Sequence, residues 1–437
     1  MWRVTARDAE RRQARAAGAL RAQGIEPGER VALTLPSSPD LLALIIGALR
    51  IGVVPVPLNP ALIAGERQVL LEDCEPALVL DDADALGALI DSANETELAD
   101  HPLARPMHFT SGTTGRPKGV WSGMLDDAGA QALFEDERDL WELGRDDVLL
   151  VCSPLHHSAP IRFATGVLLS GGDLVLLERF DASAVASALV DHAVTAAFMV
   201  PSHLQRLART GIAAAELTSF RLLAHAGEPC AEALKRWALD AFPSGSVWEF
   251  YGSTEGQFTV CSPDEWLEHP GTVGRARPHR AIEIDGEGGV WCHAPPWARF
   301  TYWRDAAKTA AVWRGDAFTV GDLGRLDEAG YLFLDGRRDD LIISGGVNVY
   351  PAEVEAALAG VDGVHEVAVF GVPDERWGQR VCVALVGDAD DEALYAAAGR
   401  RLAAYKQPKD VYRVAELPRT GSGKIRRSAI AEALGLV

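Results

Sequence analysis

Short apolar runs that stop at proline, glycine or aspartate recur along the first two-thirds of the chain, separated by helix-length stretches with apolar residues three and four apart. Strand, helix and strand in regular succession favour a mostly parallel sheet with helices on both faces. "RVALTL" at 30–35 reads as a strand, and "SPDLLALIIGALRIG" as a helix entered through Ser-Pro and ending near Gly52. "VVPVPL" and "PALVLDD" are further strands, with a helix near 64–73 between them. Residues 81–104 are acidic and alanine-rich, a loop or a short helix. From about 148 the rhythm resumes: "DVLLVCSPL", "GDLVLLERF", "AAFMVPS" and "RLLAHAGEP" are strand-like, with "SAVASALVDHA" and "AEALKRWALDAF" helical between them. Residues 271–335 carry short alternating runs and many turn residues, which suggests antiparallel strands and a small barrel. After Gly336 a compact α+β unit follows, with helices near 351–359 and 391–403.

With 437 residues, 48% of them hydrophobic, the chain can bury more than one core, so two or three units are expected. The most apolar run, "LLALIIGALRIGVVPVPL", is broken by Arg50, Pro55 and Pro57, which fits a buried helix and strand and not an integral membrane segment. The first 24 residues lack the apolar core of a signal peptide and read as a helix with arginines on a solvated face. The six cysteines form no CxxC pair and are expected buried and reduced, in a cytoplasmic protein. A formal charge of −20, from 62 acidic and 42 basic residues, disfavours nucleic acid as a partner. An anionic ligand must therefore be held by local cations and backbone amides.

"HFTSGTTGRPKGV", residues 108–120, supplies both. Gly112, Gly115 and Gly119 let backbone amides approach an anion closely, Thr110, Ser111, Thr113 and Thr114 add hydroxyl donors, and Lys118 adds charge. The spacing is not that of a Walker loop, because Arg116-Pro117 separate Gly115 from the lysine and glycine follows it. Read alone, the stretch is also compatible with an ordinary flexible Gly/Ser loop. It resembles the phosphate loop of the adenylate-forming (AMP-binding) superfamily, which includes acyl- and aryl-CoA synthetases, luciferases and the adenylation domains of peptide synthetases.

The resemblance extends in order along nearly the whole chain. "EFYGSTEGQF" resembles the family segment in which Tyr251 stacks on the purine beside Gly252 and Ser253, Thr254 donates to the α-phosphate and Glu255 holds Mg²⁺. Upstream, Gly227, Glu228 and Pro229 of "HAGEPC" match the segment that walls the adenine. In "TVGDLGRLDEAGYLFLDGRRDDLIISGGVNVYPAEVE" the resemblance assigns Asp322 to the ribose hydroxyls and Arg337 to the ribose and phosphate region. It makes Asp339 the hinge, and Gly345 and Gly346 the lining of the pantetheine tunnel. "LPRTGSGKIRR" carries the lysine that enters for the first half-reaction, Lys424. His157 of "PLHHSAPIRF" matches a position bordering the substrate carboxylate, whereas His156 reads equally as structural. Trp377 of "PDERWGQR" lies beside the CoA arm or in the core.

What the resemblance implies is an α/β fold: a large N-terminal domain of doubly wound parallel sheets with a small β-barrel-like part, and a small mobile α+β C-terminal domain. Residues 1–337 would form the adenylation domain, shortened at its front, and 338–437 the lid with the catalytic lysine. The implied activity is ATP-dependent conversion of an apolar, fatty or aromatic carboxylic acid to its adenylate, then to its CoA thioester, with ATP, Mg²⁺ and CoA required. Two alternatives stay open: an enzyme loading a carrier protein, and a non-catalytic nucleotide-binding homologue. A homodimer is also open. The acid pocket is expected between "HHSAPIRFATG", "LLAHAG" and "GSTEGQFTV", with mostly small or apolar walls, histidines at the mouth and Arg162 solvated on its helix; an inward-facing Arg162 would instead admit a dicarboxylate such as malonate.

Overall fold

The computed structural model describes residues 1–110, 117–344, 347–374, 376–419 and 425–436, without the Asp339 side chain. The chain packs as two compact units, one formed by residues 1–282 and 292–318, the other by 283–291 and 319–437.

The first unit is built on an eight-stranded sheet. Its centre is parallel: Asp173–Leu176, Val148–Val151, Ala196–Met199, Leu222–His225 and Val247–Gly252 lie side by side in that order. Each strand alternates between two cores, as the two-residue period requires. Leu149 and Val151 enter one apolar cluster and Leu150 the other; Leu222 and Ala224 oppose Leu223 in the same way. Helices covering both faces make the sheet doubly wound. Antiparallel strands finish both margins: Trp2–Val4 against Asp173–Leu176 on one side, Gln257–Cys261 and then Arg275–Ala276 on the other. The amino terminus thus opens as a strand, with its helix confined to Ala6–Ala22. Residues 1–24 were expected to be helical throughout, and pairing of Trp2–Val4 with the sheet edge overrides that pattern.

A second sheet of this unit is parallel and three-stranded, in the order Val54–Pro57, Arg30–Leu33, Leu78–Leu80. The Pro39–Arg50 helix has its sequence-encoded entry: Ser38 Oγ accepts from the Leu41 amide at 3.1 Å, proline opens the first turn, and Asp40 sits where the helix dipole favours an anion. Arg50 is buried but paired, donating to the Ala99 carbonyl at 2.7 Å and to Gln13 Oε1 at 2.9 Å. A smaller antiparallel sheet joins Thr301–Tyr302, Lys118–Trp121 and His108–Thr110.

The second unit contains the hairpin Asp322–Leu326 with Leu332–Arg337, and a sheet whose long antiparallel pair is Val364–Asp374 with Gly378–Gly387. The Pro351–Leu358 and Asp391–Arg401 helices share its apolar cluster through Val354, Leu358, Leu394 and Ala398. Among the described residues no helix is long and apolar enough to cross a membrane.

Candidate active site

The turn between Val247–Gly252 and Gln257–Cys261 is the best defined part of the candidate site. The Ser253 amide donates to the Gly256 carbonyl at 2.7 Å and closes it. Gly256 is required by close approach, since a Cβ there would come within 2.6 Å of the Phe318 ring. The turn projects Ser253, Thr254 and Glu255. Glu255 is buried, and its Oε1 accepts from the Tyr302 hydroxyl at 3.0 Å. Arg105 donates to the Glu255 carbonyl at 3.3 Å. A buried carboxylate oriented by one neutral donor is a hard oxygen ligand, and so it fits a magnesium ion. Tyr251, at the end of the strand, packs its ring 4.7 Å from that of Phe258.

Thr110 and Lys118 are paired across the antiparallel strands that flank residues 111–116. Ser111, Gly112, Thr113, Thr114 and Gly115 lie outside the described residues. Lys118 Nζ stands 2.5 Å from Asp305 Oδ2. Asp305 also caps the Ala306–Val312 helix, accepting from the Lys308 amide at 2.9 Å. The Lys118 ammonium, followed by this amide, holds the Asp305 carboxyl below the usual carboxylate range.

Gly227 turns the chain after the Leu222–His225 strand with φ +94°, a conformation that favours glycine. Glu228 accepts from the Ser202 amide at 3.0 Å, and Pro229 is exposed. Beneath this turn Lys235, fully buried, places Nζ 2.6 Å from His225 Nε2 and 3.3 Å from Glu249 Oε2. Burial, then Lys235, keeps His225 neutral, and burial raises the Glu249 carboxyl. This trio fastens the adjacent ends of two parallel strands.

His157 is the N-cap residue of the Ser158–Leu169 helix, its ring 4.3 Å from that of His156. His156 is pushed down to about 3 by burial first and His157 second. His108 is likewise pushed down to about 3, chiefly by burial.

A cavity opens between this helix and the Asp127–Trp141 helix. Ser158, Ile161, Arg162 and Thr165 form one stripe of its wall; Ala130, Phe134 and Glu137 form the other, and Thr254 and Gln257 complete it. These are the i, i+3, i+4, i+7 positions of one helix face. The cavity therefore joins two of the three expected segments, and residues 102–108 and the Asp127–Trp141 helix line it where "LLAHAG" was expected. Its walls are mostly small or apolar, as expected, and Arg105, Asp136, Glu137, Arg162 and Arg280 add charged side chains to them. Arg162 is not solvated: its side chain is 22% exposed, and Nε stands 3.6 Å from Glu137 Oε1. The physical reason is the Asp127–Trp141 helix, whose Glu137 is brought against that face of the Ser158–Leu169 helix. Asp136 is taken by Arg277 and Arg280, at 3.2 and 2.8 Å. Burial alone would raise Glu137, but Arg162, Arg277 and the Trp141 indole hold it low.

In the second unit Asp322 and Arg337 are partners across the hairpin, with Nε 3.0 Å from Oδ1. Gly345, Gly346, Lys424 and the Asp339 side chain lie outside the described residues. Arg419 and Ile425 form an antiparallel bridge. Trp377 is half-buried in the turn after Val364–Asp374, with the Arg376 guanidinium 4.8 Å and the Lys409 ammonium 5.5 Å from its ring.

Comparison with known proteins gives matches across the chain. The model of the AMP-binding enzyme family matches residues 2–294, and that of the AMP-binding enzyme C-terminal domain residues 353–424. The chain is 33% identical to the indoleacetate–CoA ligase of Aromatoleum aromaticum, over 96% of this chain and 91% of that protein. It is 35% identical to a feruloyl-CoA synthase of Amycolatopsis, over 99% and 94%. Among solved structures, o-succinylbenzoate CoA synthetase of Bacillus subtilis with its acyl-adenylate intermediate superposes with a TM-score of 0.87 at 27% identity, covering 97% of this chain and 92% of that one. The same enzyme with ATP and magnesium ion gives 0.86 at 27% identity, covering 97% and 93%.

Proposed function

Since the chain belongs to the AMP-binding enzyme family, we propose that it is an acid–CoA ligase. It converts an apolar, fatty or aromatic carboxylic acid and ATP to an acyl-adenylate and pyrophosphate, then passes the acyl group to CoA. The observation that carries the reading is the cavity that runs from Thr254, next to the buried carboxylate of Glu255, between two helices of the first unit. Relatives named as acid–CoA ligases, similar over almost their full length, support the same reaction.

A carboxylate is a poor acyl donor because its leaving group would be oxide. Adenylation replaces oxide by AMP, and the attacking oxygen is already ionised, so no general base is needed. What the chain must do is hold two anions in line. Thr254 donates to the α-phosphate, Lys118 exchanges Asp305 for phosphate oxygen, and the hydroxyls and glycines of residues 110–115 hold the polyphosphate. A magnesium ion on Glu255 would supply charge neutralisation as pyrophosphate departs. Tyr251, Gly252, Ser253 and the Gly227–Pro229 turn hold the adenine, Asp322 and Arg337 the ribose, and His157 borders the acid carboxylate. Lys424 serves adenylation alone.

Residues 338–437 act as the lid, pivoting at Asp339, with 1–337 as the adenylation part. Gly345 and Gly346 pass the pantetheine arm, and Trp377, flanked by two cations, suits an electron-rich, anionic partner such as CoA. The protein works in the cytoplasm. The test is exchange of labelled pyrophosphate into ATP with magnesium and a broad set of acids, followed by AMP release on adding CoA or a pantetheinylated carrier protein. Acid-dependent exchange with CoA-dependent release is expected. No exchange with any acid refutes the ligase, and release only with the carrier protein reassigns the acceptor. Sedimentation velocity reads whether a second copy is a partner.

A further inference from the structure

The cavity wall contains polar atoms that are buried and have no hydrogen-bond partner: Arg105 Nε, His108 Nε2 and Ser253 Oγ, and, on and beside the Ser158–Leu169 helix, Arg162 Nε and Nη2, Thr165 Oγ1 and Gln257 Oε1. Thr165 is 7% exposed and Gln257 9%. The orientation of the Gln257 amide is fixed chemically. Its Nε2 donates to Glu137 Oε2 at 3.3 Å, so the oxygen must point away from that carboxylate. Unsatisfied donors and an unsatisfied acceptor therefore belong to the lining of one cavity. An orphaned buried polar group is destabilising unless a partner arrives with the ligand.

The geometry points to an acid with a hydroxyl group at its far end, recognised by Arg162, Gln257 and Thr165. This inference rests on the ligase reading. A hydroxyl accepts from the Arg162 guanidinium and donates to Gln257 Oε1, so it satisfies both kinds of orphan. A hydrocarbon end satisfies neither. A second carboxylate answers the donors, and Arg105 and Arg280 of the same wall attract it, but it has no proton to give and leaves Gln257 Oε1 orphaned. Position also follows from the helix. Ser158 begins the wall beside His157, and Arg162 and Thr165 stand four and seven residues further on, about 6 and 10 Å along the axis. That spacing suits a para-hydroxyaryl acid or an ω-hydroxy acid of similar length.

The experiment measures pyrophosphate release with 3-phenylpropanoate, its 4-hydroxy and its 4-carboxy derivatives, and with octanoate and 8-hydroxyoctanoate. The hydroxy acid of at least one series is expected to exceed its hydrocarbon and carboxy counterparts at least tenfold in kcat/KM, mainly through KM. Arg162→Leu and Gln257→Met, each checked by its melting curve, are expected to cut that preference to less than threefold while retaining turnover of the hydrocarbon acid. Gln257→Met is close in volume and adds no charge, so it keeps the test decisive if Arg162→Leu is unstable. Equal use of all acids by the parent enzyme overturns this inference and leaves the ligase reading intact, as does a preference that persists in Gln257→Met. Absence of pyrophosphate release with every acid removes both.

Discussion

At the residue scale, the two charges that the proposed chemistry needs most are each held by a partner far away in sequence. Glu255 is oriented by Tyr302, and Lys118 by Asp305, 187 residues on. Tyr302→Phe removes a donor without changing shape. We expect roughly a tenfold fall in pyrophosphate exchange and a higher magnesium requirement, read from exchange rates titrated with magnesium. A fall that saturating magnesium does not reduce would detach Tyr302 from the metal. Motifs written in one continuous stretch could be singled out in the sequence: Lys118 from its glycine- and hydroxyl-rich loop, Thr254 and Glu255 through the family resemblance. Tyr302, Asp305 and Arg105 could not, because each acts through a contact that only the folded chain creates. Arg162 was misread as solvated for a related reason, since its surroundings come from Glu137 on another helix.

At the element scale, strands and helices were legible where the apolar pattern was strong. The central parallel strands and the Pro39–Arg50 helix fell where period and capping residues put them. The Asp127–Trp141 helix went unassigned, although Asp126 is a proper N-cap whose carboxylate accepts from the Gly129 amide at 2.8 Å. Its sequence is mostly polar, and only Ala130, Phe134, Glu137 and Trp141 are buried. A stripe that includes a buried glutamate does not look like a core face. This helix forms one wall of the acid cavity, so its stability bears on substrate binding. Asp126→Ala is expected to lower unfolding free energy by about 1 kcal/mol. Denaturant unfolding with unchanged slope checks this, and no measurable loss would show that the cap is replaced by water.

At the scale of the whole molecule, four histidines link stability to pH: His108 and His225 are buried, His156 and His203 half-buried, and burial pushes His225 well below its ordinary value. His108 and His156 are pushed down to about 3 and His203 to about 4, in each case mainly by burial. In the unfolded chain they titrate near 6.5. The folded state therefore binds fewer protons than the unfolded one between those values. The stability that depends on neutral imidazoles is complete above about pH 6.5 and is lost as pH falls towards 4 and 3. The limit is about 1.4 kcal/mol per pH unit for each histidine. Melting temperature should drop steadily from pH 7 to 5, and a flat profile would show that these rings reach solvent. The proposed two-step chemistry divides the molecule differently. Lys424→Ala is expected to lower adenylation at least hundreds-fold, by analogy with the removal of one fixed donor, and to spare thioester formation from supplied adenylate. Equal loss in both steps would overturn the proposed role of residues 338–437.

The margins of the eight-stranded sheet bear on how copies of this protein behave when crowded. One border is a strand of only three residues and the other of only two, each running against its neighbour. Such stunted hems offer a stray β-strand almost nothing to zip onto. Concentrated solutions should consequently resist fibrillation along this seam, and any quaternary association has to be sought on other surfaces.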